Sequence, residues 1–297
     1  MVRRPALAPG THLTRHDALR LRLGSHPGVV VDDSALLRAL VAAIDGVQSR
    51  ALVCRAAAEA AGCAARAADA LLDELVARGA VVEAADWIRC RAPRDEVAAA
   101  VLRGRDPAAL SARARTVLSV HAGPGCHDLA DLVRLGARIA GVSLRGDRPA
   151  HVLVVLTVGE PHRDTIESLT ATGAMVLPVV LDEGRCVVGP WTSPGRTPCL
   201  RCADLARASW STSWAGHWPS LDRPDRPHAV GAELTQSVAA LVVSDVLAAC
   251  DRQPVRTAGA QLTVGPEPDH ATRLSVAFHP DCPCHLLTAH ETASSVS

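Results

Sequence analysis

Two close-spaced thiol pairs, Cys199-x-x-Cys202 and Cys282-x-Cys284, are the residues of this chain best placed to do chemistry. The first pair ends the loop Gly189-Pro-Trp-Thr-Ser-Pro-Gly-Arg-Thr-Pro-Cys-Leu-Arg-Cys202, and the second lies in His279-Pro-Asp-Cys-Pro-Cys-His285. Thiol pairs delivered from two separate stretches are how a tetrahedral Zn(Cys)4 structural site is assembled, with no coordination position left for substrate. The expected role is that of a staple, tying a late segment to the middle of the chain. His279 and His285 flank the second pair, and either offers an imidazole in place of a thiolate. A redox dithiol at Cys199-x-x-Cys202 is the competing reading, and it leaves the second pair without a role. The other six cysteines, Cys54, Cys63, Cys90, Cys126, Cys186 and Cys250, are scattered singly and read as small apolar core residues.

A second constellation looks like a nucleotide loop that has lost its ligand. Gly123-Pro-Gly125 follows the apolar run Thr116 to Val120 and precedes a helical pattern, where a dinucleotide- or ATP-binding fold puts its glycine turn. The place of the third glycine is taken by Asp128. A carboxylate at a helix N-terminus satisfies the helix dipole itself and repels a phosphate. All 31 cationic residues are arginine, so there is no lysine to clamp a phosphate, form a Schiff base or act as a general base. ATP is therefore not expected to bind. His121 and His127 bracket the turn and read as surface or loop histidines, and no Ser-centred nucleophile elbow is present.

The composition bounds the rest. At 297 residues the chain has room for two domains, and 48% hydrophobic with only 2% aromatic residues means cores of Ala, Leu and Val. A net charge of +0 gives no electrostatic case for nucleic acid or an anionic membrane. The N-terminus lacks the apolar core of a signal peptide, and ten cysteines without an export signal point to a reducing cytosol. The most apolar stretch, Ala232 to Cys250, carries Glu233, Gln236 and Asp245 and reads as a buried helix of the fold.

The elements that must position these residues fall into two groups. In residues 1–91, Leu19, Leu21 and Leu23 alternate with Arg20 and Arg22 as in a strand, and Val29, Val30 and Val31 form another. Three helices follow, near 35–44, 50–61 and 64–77, and a strand pair from Val81 to about Arg91. This is a winged-helix (α+β) arrangement. Its third helix carries Arg66, Asp69, Asp73, Glu74 and Arg78 and has no basic face, which argues against DNA. The other use of such a domain is capture of an extended peptide on a strand edge. Residues 92–115 read as a helical connector. From 116 to 288, strands alternate with helices, as in a parallel α/β sheet of Rossmann type. Residues 289–297 read as a disordered tail.

The cysteine loop, Val187-Val-Gly-Pro-Trp-Thr-Ser-Pro-Gly-Arg-Thr-Pro-Cys-Leu-Arg-Cys202, taken with His279-Pro-Asp-Cys-Pro-Cys284, resembles the ThiF-like (ubiquitin-activating-enzyme-like) partner proteins of azole-containing peptide biosynthesis. Arg4-Pro-Ala-Leu-Ala-Pro-Gly10, Leu21-Arg-Leu-Gly24 and Leu40-Val-Ala-Ala-Ile-Asp-Gly46 resemble the PqqD-like winged-helix element fused to those proteins. The resemblance implies structural zinc on Cys199, Cys202, Cys282 and Cys284. It also implies a precursor-peptide leader bound as an added strand in the N-terminal domain. A separate YcaO-type cyclodehydratase would then carry out azoline formation. The chain departs from adenylating members at Asp128 and in lacking lysine, which favours a non-catalytic scaffold.

On that reading the peptide edge is the strand around Leu19, Arg20, Leu21, Arg22 and Leu23 or that of Val29, Val30 and Val31. Leu71, Leu72 and Leu75 of the third helix are candidate anchors, or equally core residues, and Arg20 and Arg22 could meet acidic leader residues. Two other readings are an active adenylating enzyme and a zinc-stabilised winged-helix regulator of DNA. A homodimer is compatible with all three.

Overall fold

The alternation of leucine with arginine at the start of the chain becomes a central strand with one buried face. In the computed structural model, which describes residues 2–25, 27–84, 92–103, 105–144, 149–211, 214, 230–265 and 271–286, contacts divide the chain into Met1–Ser111 and Ala112–Ser297.

In the first unit β1 (Pro5–Leu7) is followed by β2 (Leu13–Arg15), β3 (Arg20–Leu23) and β4 (Val29–Asp32), of which the last three form an antiparallel sheet in the order β2-β3-β4. Three helices come next: α1 (Ala35–Ala43), α2 (Arg50–Ala61) and α3 (Ala65–Ala77). Ser34 caps α1, its hydroxyl accepting the Leu37 N–H at 3.1 Å. Gly62 ends α2 in the left-handed region with φ 65°. Leu21 and Leu23 turn inward onto Leu37, Leu40, Val53, Leu72, Leu75 and Val81, which together make the core. Buried Arg50 pairs with Asp69 at 2.7 Å and Asp73 at 2.8 Å, fastening α2 to α3.

Two details differ from expectation, and a third lies outside the described residues. β5 (Val81–Glu83) pairs antiparallel with β1, bringing the first strand of the chain to the end of the helical bundle. The return strand expected by Arg91, and Cys90 within it, lie outside the described residues. Cys63, expected in the core, follows Gly62 onto the surface. Beyond β5, α4 (Arg94–Leu102) and a 3-10 turn at Pro107–Leu110 complete this unit.

The second unit runs from α5 (Ser111–Arg115) through β6 (Val117–Ala122), α6 (His127–Ile139), β7 (Ser143–Leu144) and β8 (Val152–Val158). It continues with α7 (Arg163–Ala171), β9 (Met175–Asp182), β10 (Arg185–Val188), α8 (Leu200–Trp210) and α9 (Ala232–Cys250), and ends in β11 (Ala260–Val264) and β12 (Thr272–Ser275). The strands form one seven-stranded sheet in the order β12-β11-β10-β9-β8-β6-β7. β7, β6, β8 and β9 are parallel, as the alternation of strands and helices implies, whereas β10, β11 and β12 are antiparallel, so the sheet is mixed. The reason is local: Glu183 (φ 41°) and Gly184 (φ 79°) make a two-residue hairpin between β9 and β10, and a hairpin reverses the strand.

Continuous Val and Leu runs in β8 and β9 are buried, as suits central strands covered on both faces. α6 and α9 pack closely at Gly136, where a Cβ would lie 3.0 Å from a Val243 methyl. α9 is long and apolar enough to cross a membrane, and here its buried face includes Asp245, whose carboxylate accepts from the Thr257 hydroxyl at 2.5 Å.

Candidate functional site

Cys199 is the N-cap of α8 and Cys202 lies in its first turn, so one helix start presents both thiols to the same side. Cys282 and Cys284 come from the turn at the 3-10 segment Pro283–Leu286. The four buried sulfurs lie within 4.8 Å of one another. Cys199 Sγ is 3.6 Å from Cys282 Sγ, and Cys202 Sγ is 3.4 Å from Cys284 Sγ. A tetrahedral zinc with Zn–S bonds of about 2.3 Å separates its sulfurs by about 3.8 Å. These contacts fit that spacing and are far longer than a disulfide bond of about 2.05 Å.

The Cys202 sulfur also accepts the His279 N–H at 3.4 Å, a bond that steadies a thiolate. The flanking imidazoles point elsewhere: His279 Nδ1 accepts the Asp281 N–H at 3.2 Å, and His285 Nδ1 donates to the Cys282 carbonyl at 3.0 Å. The donor set is therefore four thiols. Burial drives the Cys199 thiol far up and that of Cys284 up to about 12. At Cys202 burial also pushes upward, but hydrogen bonds to its sulfur, led by the His279 N–H, outweigh it and bring the thiol below its usual value. A dication is the charge that such a buried set lacks. Cys199, Cys202, Cys282 and Cys284 would hold Zn²⁺, whose contribution there is to fold stability.

The glycine turn sits at the end of β6, beside the point where the chain crosses from β7 to β8 on the other side of β6. The Gly123 N–H donates to the Leu156 carbonyl at 2.9 Å, and a Cβ there would stand 3.3 Å from that oxygen. Gly125 takes φ 79°. Asp128 lies exposed in the first turn of α6. Arg163, at the start of α7 beyond β8, is engaged by Asp204 at 2.6 and 3.0 Å and by Glu160 at 2.8 Å. That pairing joins residues far apart in sequence, and no local pattern announces it.

The N-terminal residues separate into core and edge. β3 is paired on both sides, so the stretch Leu19 to Leu23 cannot accept another strand; the expectation of an edge there is corrected. Leu21, Leu23, Leu72 and Leu75 are buried in the core and leave no surface for a ligand, which removes them as anchors. Leu71 is half-buried at the margin of that core. Arg20 is paired with Asp17 at 2.6 Å, and Arg22 donates to His16 Nδ1 at 2.8 Å, so both guanidiniums expected to face acidic ligands have partners in the fold.

Among the described residues, the edge beside α3 that no further strand joins is that of β4. The Asp33 N–H donates to the Leu19 carbonyl at 2.8 Å, which sets the alternation along the strand. Val29 and Val31 therefore spend their backbone groups on β3, while those of Val30 and Asp32 face outward. Arg78, at the end of α3, reaches this edge and donates to the Val30 carbonyl at 2.7 Å. Sequence reasoning missed that contact. Its signal, a long cation just past a helix that packs on a sheet, was visible but not specific.

The sequence matches no protein-family model and no curated protein. Among solved structures the fold is similar to a heterocyclase in complex with substrate and cofactor, at a TM-score of 0.62 and 15% identity, over 94% of this chain and 39% of that one. It is similar to the heterocyclase TruD, also at 0.62, with 17% identity over 95% of this chain and 42% of that one. A third likeness is to E. coli MccB with MccA-N7isoASN, at 0.51 and 12% identity over 95% and 99%. The chain thus spans about two fifths of the two heterocyclases. At these identities the likeness is one of fold, an α/β body resembling that of MccB.

Proposed function

We propose that this protein is a non-catalytic recognition scaffold of ribosomal peptide modification. Its N-terminal unit takes the leader of a precursor peptide as an added strand on β4 and presents it to a YcaO-type cyclodehydratase. The α/β unit, held together by zinc on Cys199, Cys202, Cys282 and Cys284, is the body of that scaffold.

The observation that carries this reading is the outward row of backbone groups at Val30 and Asp32 next to α3, an open edge of the kind extended peptides join. The described character of the similar structures, a heterocyclase with substrate and MccB with a form of MccA, supports it. Val30→Pro tests it, because proline removes an outward N–H while leaving the β3 pairing intact. A displayed library of random dodecapeptides should yield binders on the wild-type protein and none on this variant. Equal yields on both would sink the edge assignment.

A second reading, an adenylating enzyme, is favoured by the glycine turn at the β6–α6 junction. ATP–pyrophosphate exchange in the presence of selected peptides separates the two, and the scaffold predicts none.

A further inference from the structure

The open edge of β4 is guarded. The outward carbonyl of Val30, the acceptor that an added strand must use, already takes a hydrogen bond from Arg78 Nη2. Arg78 stands just past α3, with its own N–H held by the Glu74 carbonyl at 3.0 Å, and Gly79 (φ 77°) turns the chain away behind it. The Glu74 carboxylate, one helical turn earlier, takes the other end of the guanidinium at 2.8 Å. Backbone, counter-ion and acceptor together fix a side chain that is otherwise 40% exposed.

With Glu74 as its counter-ion, this guanidinium is not waiting for a carboxylate from a ligand. Its free donor is spent on competing for Val30. We infer that Arg78 is the specificity-determining residue of this edge, setting the threshold that an incoming strand must exceed. The inference rests on β4 as the site of peptide capture. A segment that brings its N–H to the Val30 carbonyl has to displace Arg78. A single backbone bond does not outweigh a charge-assisted one. A segment that continues to Asp32 and also covers the half-buried Leu71 does. The same threshold turns away the β4 edge of a second copy, since exposed edges are protected by charged side chains in this way.

The experiment selects dodecapeptides from one random library on the wild type, Arg78→Ala and Val30→Pro, followed by titration of the selected peptides. Arg78→Ala should bind peptides selected on the wild type about five-fold tighter, the equivalent of one exposed charge-assisted contact. It should also enrich a broader set of sequences and self-associate at high concentration. Glu74→Gln, which keeps Arg78 but loosens its anchor, should tighten binding in the same direction by a smaller factor. Arg78→Ala should melt only a few degrees below the wild type, as loss of one exposed contact requires, and Glu74→Gln by less.

If wild type and Arg78→Ala enrich nothing, the capture edge itself is wrong and this inference falls with it. If the wild type enriches peptides and Arg78→Ala binds them equally or more weakly, the edge stands and the role of Arg78 is overturned.

Discussion

Arg113 and Asp251 form a buried two-point ion pair, Nε to Oδ1 at 2.8 Å and Nη2 to Oδ2 at 2.6 Å, with both side chains almost wholly removed from solvent. A further donor of Arg113 reaches the Ala140 carbonyl at 3.2 Å, so one guanidinium gathers the ends of α6 and α9 beside the start of β6. Removing one partner strands a buried charge, at a cost of about 3–5 kcal/mol. Asp251→Ala should lower the urea midpoint accordingly. Pairing it with Arg113→Met should recover much of the loss.

Metal removal should act on the second unit. The purified protein is expected to carry one zinc per chain by elemental analysis, and Cys202→Ser should reduce that content sharply. A strong chelator should lower the thermal midpoint of the α/β unit. A chain that keeps its stability and its cysteine geometry without metal would leave the cluster as four inert thiols.

The assignment of leucines to core and edge is testable by truncation. Leu72→Ala and Leu75→Ala should each cost about 2–5 kcal/mol, because both side chains are fully enclosed. Leu71→Ala should cost much less in denaturant unfolding and should weaken peptide capture instead. Comparable losses of stability at all three positions would contradict the marginal placement of Leu71.

Buried thiols outside the cluster give the fold an alkaline limit. Burial pushes Cys126 and Cys250 up to about 11 and Cys186 up to about 12, from the ordinary thiol value of 9.0. A raised folded-state value favours the neutral thiol, so their contribution is complete below about pH 9 and is lost as pH rises towards 11–12. The chain contains no lysine and no tyrosine, which leaves cysteines as the main side chains titrating in that window. The urea midpoint should therefore hold up to pH 8 and fall above 9, and Cys126→Ala combined with Cys250→Ala should flatten the fall. At neutral pH a thiol reagent should label exposed Cys63 quickly and Cys54, Cys126, Cys186 and Cys250 only on unfolding.

What the sequence made legible were the features written in short spacing. Cys199-x-x-Cys202 and Cys282-x-Cys284 declare themselves because each pair fits one turn of chain. The three helices near 35–44, 50–61 and 64–77 agree with Ala35–Ala43, Arg50–Ala61 and Ala65–Ala77 to within a residue. Pairing partners were the blind spot. Whether Leu21 sits on an edge or in the centre depends on β2 and β4 both choosing β3, and Val81 could not reveal that its partner is Leu7. The acids of α3 illustrate the same limit. Asp69 and Asp73 read as a surface hostile to DNA, yet they serve buried Arg50 on the preceding helix.

The route by which the four sulfurs meet has a kinetic consequence. Between Cys202 and Cys282 lie the whole of α9 and the strands β11 and β12, and β12 ends only a few residues before the second thiol pair. The two thiol pairs cannot meet until β11 has docked in register on β10 and β12 on β11. Closing so long a loop costs entropy before any sulfur contact rewards it. Refolding of the α/β unit should therefore be slow and late, with the cluster assembling as its final event.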